Sequence, residues 1–292
     1  MQLLVQPDDG LEPILETILA ARRSIDVYIF RLDCKKIEKA LAEAVKRGVV
    51  VRTLIAHTNK GGELALRKLE LRLLEMGATV SRSADDLVRY HGKIMIVDCR
   101  ILFVFGFNFT RDDILRSRSL GISTKKRDLV DEALRLFQAD FDRKPFKPSR
   151  AALVVSPENS RERLESFIKG ARRQLLIYGS VTDNGLIRLL QQMARAGLDV
   201  RIIGKLEKGH NSLDSAKFPG QRLHVRAIVR DGGAAFVGSQ GLRRLELEKR
   251  REIGVIVRAA SVVRRIVQTF ESDWGRTRFG DGEQEGRASL LA

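Results

Sequence analysis

Two histidines in this sequence stand in the same local pattern. His91 opens His-Gly-Lys-Ile-Met-Ile-Val-Asp, with Lys93 two places on and Asp98 seven places on. His224 opens His-Val-Arg-Ala-Ile-Val-Arg-Asp, with Arg226 and Asp231 at the same spacings. On an extended strand, residues i and i+2 face the same way, so each imidazole projects beside a fixed cation. That pairing suits attack on a phosphoryl group. The imidazole can act as nucleophile or proton donor, and the cation can hold the anionic oxygens. Asp98 and Asp231 follow apolar runs, where a strand would turn, and are read as structural. A single such motif could be a strand-edge histidine beside a solvated lysine. Two of them, 133 residues apart at matched places of an internal repeat, favour chemistry.

The flanking sequence supplies the elements that would position these residues. Apolar, β-rich runs at 2–6, 24–30, 49–55, 78–83 and 101–105 read as strands, followed by LGIST at 120–124. Helical spacing spans 11–22, the stretch ending at Gly48, 62–76 and 127–142. Lys144 to Arg150, with two prolines, reads as a link. The pattern then restarts. Pro157 answers Pro7 and Tyr178 answers Tyr28 at an offset of 150, and Val200 answers Val51 at 149. From the motif onward the offset is 133, as for Phe236 with Phe103 and Gly254 with Gly121. Strands alternating with helices predict an α/β fold. Each repeat would be a mixed β-sheet flanked by helices, and the two would pack about a pseudo-twofold axis with one active site between them. The expected units are 1–146 and 147–276, with a disordered tail at 277–292.

The 292 residues are 43% hydrophobic, enough for a substantial core, and Lys+Arg exceed Asp+Glu by 53 to 37. The net charge of +16 points to polyanionic partners: nucleic acid, an anionic lipid surface or phosphorylated substrates. Cys34 and Cys99 make no disulfide framework and are read as buried free thiols, which fits a reducing compartment. No His/Cys cluster suggests a metal site. The opening MQLLVQPDDGLEP lacks the layout of a signal peptide, and no apolar run approaches the ~18 residues of a membrane span. A cytoplasmic location is expected, with peripheral contact to an anionic membrane. No obligate protein partner is evident. His57 and His210 are read as surface residues, Tyr28 and Tyr178 as core or cleft wall.

With the paired motifs, the turns after them and the acid before Gly254, the sequence resembles the phospholipase D superfamily over nearly its whole length, and in particular bacterial members similar to cardiolipin and phosphatidylserine synthases. The resemblance implies two phospholipase D-like repeats and a two-step transfer. One histidine forms a phosphohistidine; the other protonates the leaving alcohol and then activates water or an acceptor alcohol. It casts His91 as nucleophile and His224 as general acid/base, with Lys93 and Arg226 on the phosphate, and it calls for no metal and no cofactor.

The family's turn after each motif, Gly-Ser-x-Asn-like, is divided between the repeats. The first has Gly106 in place of the serine and keeps Asn108, and its acidic position is Ser119. The second keeps Ser239 but has Gly241 in place of the asparagine, and keeps Glu252. Asn108 and Ser239 are assigned to phosphate binding and Glu252 to orienting His224. The function expected is a metal-independent phosphodiesterase or transphosphatidylase with a phospholipid or nucleic-acid phosphodiester as substrate, phospholipid favoured. The alternatives are a nuclease of the same superfamily, or a weakened module that binds phosphodiesters, with Arg226, Gly106, Gly241 and Ser119 marking lost chemistry. Aromatic residues make up only 6%, too few to suggest an interleaved single-strand groove.

Overall fold

The structure is a computed structural model and describes residues 1–57, 63–207 and 212–279. His210 lies outside these residues. The first repeat runs β1 (Gln2–Gln6), α1 (Glu12–Ala20), β2 (Ser24–Ile29), α2 (Lys35–Lys46), β3 (Val50–Ile55), α3 (Glu63–Glu75), β4 (Thr79–Arg82), β5 (Arg89–Tyr90), β6 (Ile94–Val97), β7 (Ile101–Phe105), α4 (Arg111–Leu115), β8 (Ser117–Thr124) and α5 (Arg127–Phe141). The second runs β9 (Leu153–Val155), α6 (Ser160–Lys169), β10 (Gln174–Tyr178), α7 (Asn184–Arg195), β11 (Asp199–Ile203), β12 (Asp214–Ala216), β13 (Arg222–Leu223), β14 (Ala227–Arg230), β15 (Ala234–Gly238), α8 (Arg244–Glu248), β16 (Arg250–Arg251), β17 (Ile253–Val257) and α9 (Ala260–Phe279). Among the described residues α3 has no counterpart between β11 and β12, which accounts for the fall in offset from 149 to 133.

The sheets share one order. The first is β1-β8-β7-β6-β2-β3-β4 and the second, in matching sense, β9-β17-β15-β14-β10-β11-β12. In each, three strands are parallel (β2, β3, β4; β10, β11, β12) and the other neighbours in these orders pair antiparallel. The motif strands β6 and β14 are central and apolar on both faces, as strands buried between two layers must be. Alternate residues of β6 serve different cores. Ile94 and Ile96 face the second repeat, packing in one cluster with Val229, Val237 and Val255. Met95 and Val97 face α1 and α2, whose Ile14, Ile18, Ile37 and Leu41 cover the outer side. In α2 the buried positions Ile37, Ala40, Leu41 and Ala44 make the i, i+3, i+4, i+7 stripe of an amphipathic helix.

Each fully buried aliphatic or aromatic side chain contributes about 1.5–3 kcal/mol. The shared inter-sheet cluster, which also takes in Leu136 and Phe137 of α5 and Ile266 and Phe270 of α9, therefore holds the repeats as one body. The link is pinned to it. Phe146 enters the shared cluster, and Glu132 accepts from Ser149 N at 2.5 Å and from Ser149 Oγ at 2.8 Å.

Asp98 and Asp231 close the hairpins β6–β7 and β14–β15, with φ of 52° and 53°, in the left-handed region that such tight turns require. Asp98 accepts from the backbone N–H groups of Arg22, Arg23 and Ser24. Asp231 accepts from those of Arg172, Arg173 and Gln174. Tyr28 and Tyr178 are buried in the shared cluster. His57 is half-buried just beyond β3, with its backbone N–H on Ser83 Oγ. Two expectations are corrected. Cys99 is exposed, because it occupies the hairpin turn beside Asp98, while Cys34 is buried. Helix α9 continues through Phe279, so residues 277–279 are helical; the rest of the expected tail lies outside the described residues. No helix among the described residues is long and apolar enough to cross a membrane.

Candidate active site

The strand segments before the two histidines are exchanged between repeats. β5, which leads into His91, pairs in parallel with β16 of the second repeat, Arg89 opposite Arg250 and Tyr90 opposite Arg251. β13, which leads into His224, pairs in parallel with the start of β8 of the first, Arg222 opposite Ser117 and Leu223 opposite Arg118. Each histidine then donates its backbone N–H to a carbonyl of the other repeat: His91 to Arg251 O at 2.8 Å and His224 to Arg118 O at 2.9 Å. The two arginines are themselves fixed by buried ion pairs that cross the same boundary. Arg251 reaches Asp140 of α5 at 2.9 Å and Arg118 reaches Asp273 of α9 at 3.1 Å. Removing one partner of a buried pair costs about 3–5 kcal/mol, so these contacts hold the backbone that presents the imidazoles.

Glu252, fully buried just beyond β16, lies 2.9 and 3.1 Å from Nδ1 of His91. It therefore orients His91 and not His224 as the sequence suggested. The exchanged strand carries it across the pseudo-twofold axis. His224 has a different acid: its Nδ1 is 3.0 Å from Oδ1 of Asp113, a residue the sequence reading missed. Asp113 lies on α4, a short helix capped by Thr110, where the sequence showed only a loop beyond 110. The available signal was its offset of 133 from Glu246 on α8, an acidic position kept in both repeats.

Asn108 and Ser239, assigned to phosphate binding from the sequence, pack beside these carboxylates, and Asn108 also lines a cavity of about 440 Å³. Asn108 donates to Asp113 from its backbone N–H at 2.9 Å and from Nδ2 at 2.8 Å. Ser239 Oγ accepts from Ile253 N at 3.0 Å and donates to Ile253 O at 3.3 Å. Asn108 thus fixes Asp113, and Ser239 fixes the backbone of Ile253 next to Glu252.

Burial pushes Glu252 up to about 7, against the pull of Lys93, Ser239 and Arg250. Burial would also raise Asp113, but its bonds to His224 and Asn108 outweigh it and hold the carboxyl well below the ordinary range. His91 is drawn well below its ordinary value by burial, then by Lys93 and Arg250. His224 is lowered by burial, with Asp113 opposing. Lys93 is fully buried, and its Nζ sits 3.1 and 3.2 Å from the His91 ring nitrogens and 2.7 Å from His91 O. Burial lowers it to about 8. Phe30 packs edge-on against His91 at 4.7 Å, with Arg31 and Arg89 over its ring at 5.6 and 5.3 Å. The surroundings of His91 are thus cationic and partly desolvated, suited to an anionic group.

Arg226 is accommodated by two glycines. A Cβ at Gly179 would stand 3.1 Å from Arg226 Cδ, and one at Gly241 3.2 Å from it and 2.8 Å from Glu246 Oε2. The asparagine missing at 241 and the lysine missing at 226 are one coupled change: the longer guanidinium fills the place that Asn108 has in the first repeat. At Gly106 a Cβ would meet Leu120 O at 2.9 Å and Gly238 O at 3.1 Å, where the turns of the two repeats touch. Glycine there is a packing requirement.

A carboxylate on Nδ1 sets the imidazole tautomer and leaves Nε2 for chemistry. Two histidines so prepared, with Lys93 and Arg226 beside them, can transfer a phosphoryl group through one imidazole and move a proton through the other. The comparisons agree with this class of site. A family model described as cardiolipin synthase, phospholipase D-like domain, matches residues 14–141 and 164–274. The chain belongs to the phospholipase D superfamily, whose members are phosphodiesterases and transferases of phosphodiester groups. It is 29% identical over 145 residues to the human mitochondrial cardiolipin hydrolase, a match covering 49% of this chain and 54% of that protein; the chain thus matches about half the length of this relative. Among solved structures, a polyphosphate kinase from Porphyromonas gingivalis superposes with a TM-score of 0.77 at 19% identity, over 92% of this chain and 46% of the other. A phosphatidylserine synthase from Haemophilus influenzae gives 0.71 at 11% identity, over 94% and 86%. At these identities the two structures establish the fold alone.

Proposed function

We propose that this protein is a metal-independent phosphodiesterase or transphosphatidylase that works through a phosphohistidine on His91, with a phospholipid as its substrate. The observation that carries the proposal is the pair of crossed contacts, His91 with Glu252 and His224 with Asp113. The two acids differ in state, and that difference assigns the roles. Asp113, held ionised beside His224, opposes the burial that lowers this imidazole and stabilises the proton that His224 carries as general acid. His91, drawn well below its ordinary value, is neutral at physiological pH, as a nucleophile must be.

In the first step the Nε2 lone pair of His91 forms a bond to phosphorus, the bond from phosphorus to the leaving oxygen breaks, and that oxygen takes the Nε2 proton of His224. In the second step water, or an acceptor alcohol, gives its proton to His224 and attacks phosphorus, and the N–P bond breaks to free His91. Lys93 and Arg226 neutralise the equatorial oxygens in both steps. Phospholipid is favoured because the family model and the human relative are both named for cardiolipin chemistry.

The test is turnover of a chromogenic phosphodiester in excess EDTA by wild type, His91→Ala and His224→Ala, followed by anionic phospholipid vesicles and single-stranded DNA as alternative substrates. Turnover of vesicle lipid lost in His91→Ala supports the reading. Preference for DNA moves the substrate to nucleic acid, and tight salt-sensitive binding without turnover makes the protein a binding module.

A further inference from the structure

The two repeats are not equally filled around their motifs. At the ends of β2 and β3 the first repeat has Ile29 and Ile55, both buried. The corresponding ends of β10 and β11 are followed by Gly179 and Gly204, with φ of 116° and 152°. A Cβ at Gly204 would lie 2.0 Å from Gly179 O, so the strand ends approach this closely only because residue 204 is glycine. Both glycines line a cavity of about 650 Å³. Arg222, Leu223 and Arg226, which bracket His224 in the chain, form part of its wall.

Its charge is of one sign. Lys205, Lys217, Arg222 and Arg226 line it and no carboxylate does. The Nε of Arg226 is buried there without a hydrogen-bond partner, with Glu246 Oε2 3.9 Å away. The cavity on the first-repeat side, about 440 Å³, contrasts with it, since Asp33, Asp112 and Asp113 stand among its cations. Arg222 is paired with Asp113, and Arg226 faces Glu246, which leaves Lys205 and Lys217 as the cations without counter-charge among the described residues. Two such cations in a half-enclosed space suit an anion, and Leu206 and Phe218 give it an apolar wall for a short carbon skeleton.

We infer that this cavity receives the leaving or acceptor alcohol, and that it selects an alcohol carrying a phosphate of its own. The inference rests on the reading of His224 as the group that protonates that alcohol. The scissile phosphorus lies between the histidines, the departing oxygen lies at His224, and the rest of the alcohol extends past Arg226 into the cavity. Lys205 and Lys217 then hold its phosphate, while a neutral or cationic headgroup would leave the cavity's charge unanswered.

The test uses two synthetic phosphodiesters with the same transferred phosphoryl group. One has 2-hydroxyethyl phosphate as its leaving alcohol, the other ethylene glycol. Wild type is expected to prefer the first at least tenfold in kcat/KM, and Lys205→Gln/Lys217→Gln to lose most of that preference. Equal rates in wild type, or a preference unchanged in the double variant, overturn the inference. A second measurement does not depend on turnover: calorimetric binding of free 2-hydroxyethyl phosphate should weaken at least tenfold in the double variant, with ethylene glycol as the blank. If neither diester is turned over, the reading of the histidines fails and the binding result decides the cavity by itself; equal binding by wild type and variant refutes it.

Discussion

Nδ1 of His91 lies 2.9 Å from Oε2 of Glu252, a contact between the two repeats, and Nδ1 of His224 lies 3.0 Å from Asp113 in the opposite sense. Neither repeat contains a complete histidine–carboxylate pair, so the chemistry requires both. The acids also come from different places, one from the link between β16 and β17 and one from a helix, and have opposite electrostatic fates. Two repeats related by a pseudo-twofold axis can in this way give two histidines unequal roles.

The roles separate kinetically with a p-nitrophenyl diester, whose leaving group departs without a proton. Asp113→Ala should form the phosphoenzyme with a burst of nitrophenol and then stall, because water activation needs His224. Glu252→Ala should suppress the burst itself. Losses on the order of 10²–10⁴ are expected for each affected step. Stopped-flow traces with identical burst amplitudes in both variants would contradict the crossed assignment.

Glu252 serves activity at a cost in stability. Its folded value of about 7 lies above the ordinary 4.5, so between those values the native state keeps a proton that the unfolded chain has released. Stability falls as pH rises through that window, by about 3 kcal/mol once both states are ionised. Glu252→Gln should therefore be more stable than wild type at pH 8 by up to about that amount, with the difference shrinking toward pH 4. Urea titrations at the two pH values measure it, and a variant no more stable at pH 8 would refute the strained-carboxylate reading.

With the same nitrophenyl substrate, kcat/KM should be bell-shaped in pH. Below about 7 Glu252 is protonated and donates to Nδ1 of His91, which leaves the proton on Nε2 and removes the nucleophile. Above about 8 Lys93 loses the charge that holds the phosphate. Glu252→Gln should abolish the acid limb and leave the alkaline limb. An acid limb that persists in this variant would have to belong to another group.

Arg226 and Gly241 should behave as a coupled pair. Arg226→Lys leaves a void between Gly179 and Gly241 and should lower kcat/KM about tenfold. Gly241→Asn drives a side chain into Arg226 and Glu246 and should cost more. The double variant, which recreates the Lys93/Asn108 arrangement of the first repeat, should recover part of the loss, since contacting residues are not additive. Additive losses would mean that the two departures from the family pattern are unrelated.

The fold was legible because its signals are local: the apolar strands of β6 and β14, the amphipathic spacing of α2 and the matched offsets of Pro7 with Pro157 and Phe103 with Phe236. The histidines and their cations were legible for the same reason. What the sequence did not carry was partnership across the repeat boundary. Glu252 is close to His224 in the chain, yet the pairing of β5 with β16 delivers it to His91. Asp113 went unseen because five-residue α4 is too short to show periodicity, and the acid was sought at Ser119, its place in the family pattern. Asn108 and Ser239 were recognisable as polar turn residues, but only packing reveals that their hydrogen bonds go to Asp113 and Ile253.

The most direct test of the account is to quench the enzyme within its first turnovers on a nitrophenyl diester and map the phosphorylated peptide by mass spectrometry under alkaline conditions that preserve phosphohistidine. The account predicts a phosphoryl adduct on His91, enriched in His224→Ala and absent from His91→Ala. An adduct on His224, or steady turnover with no adduct on either histidine, would contradict it.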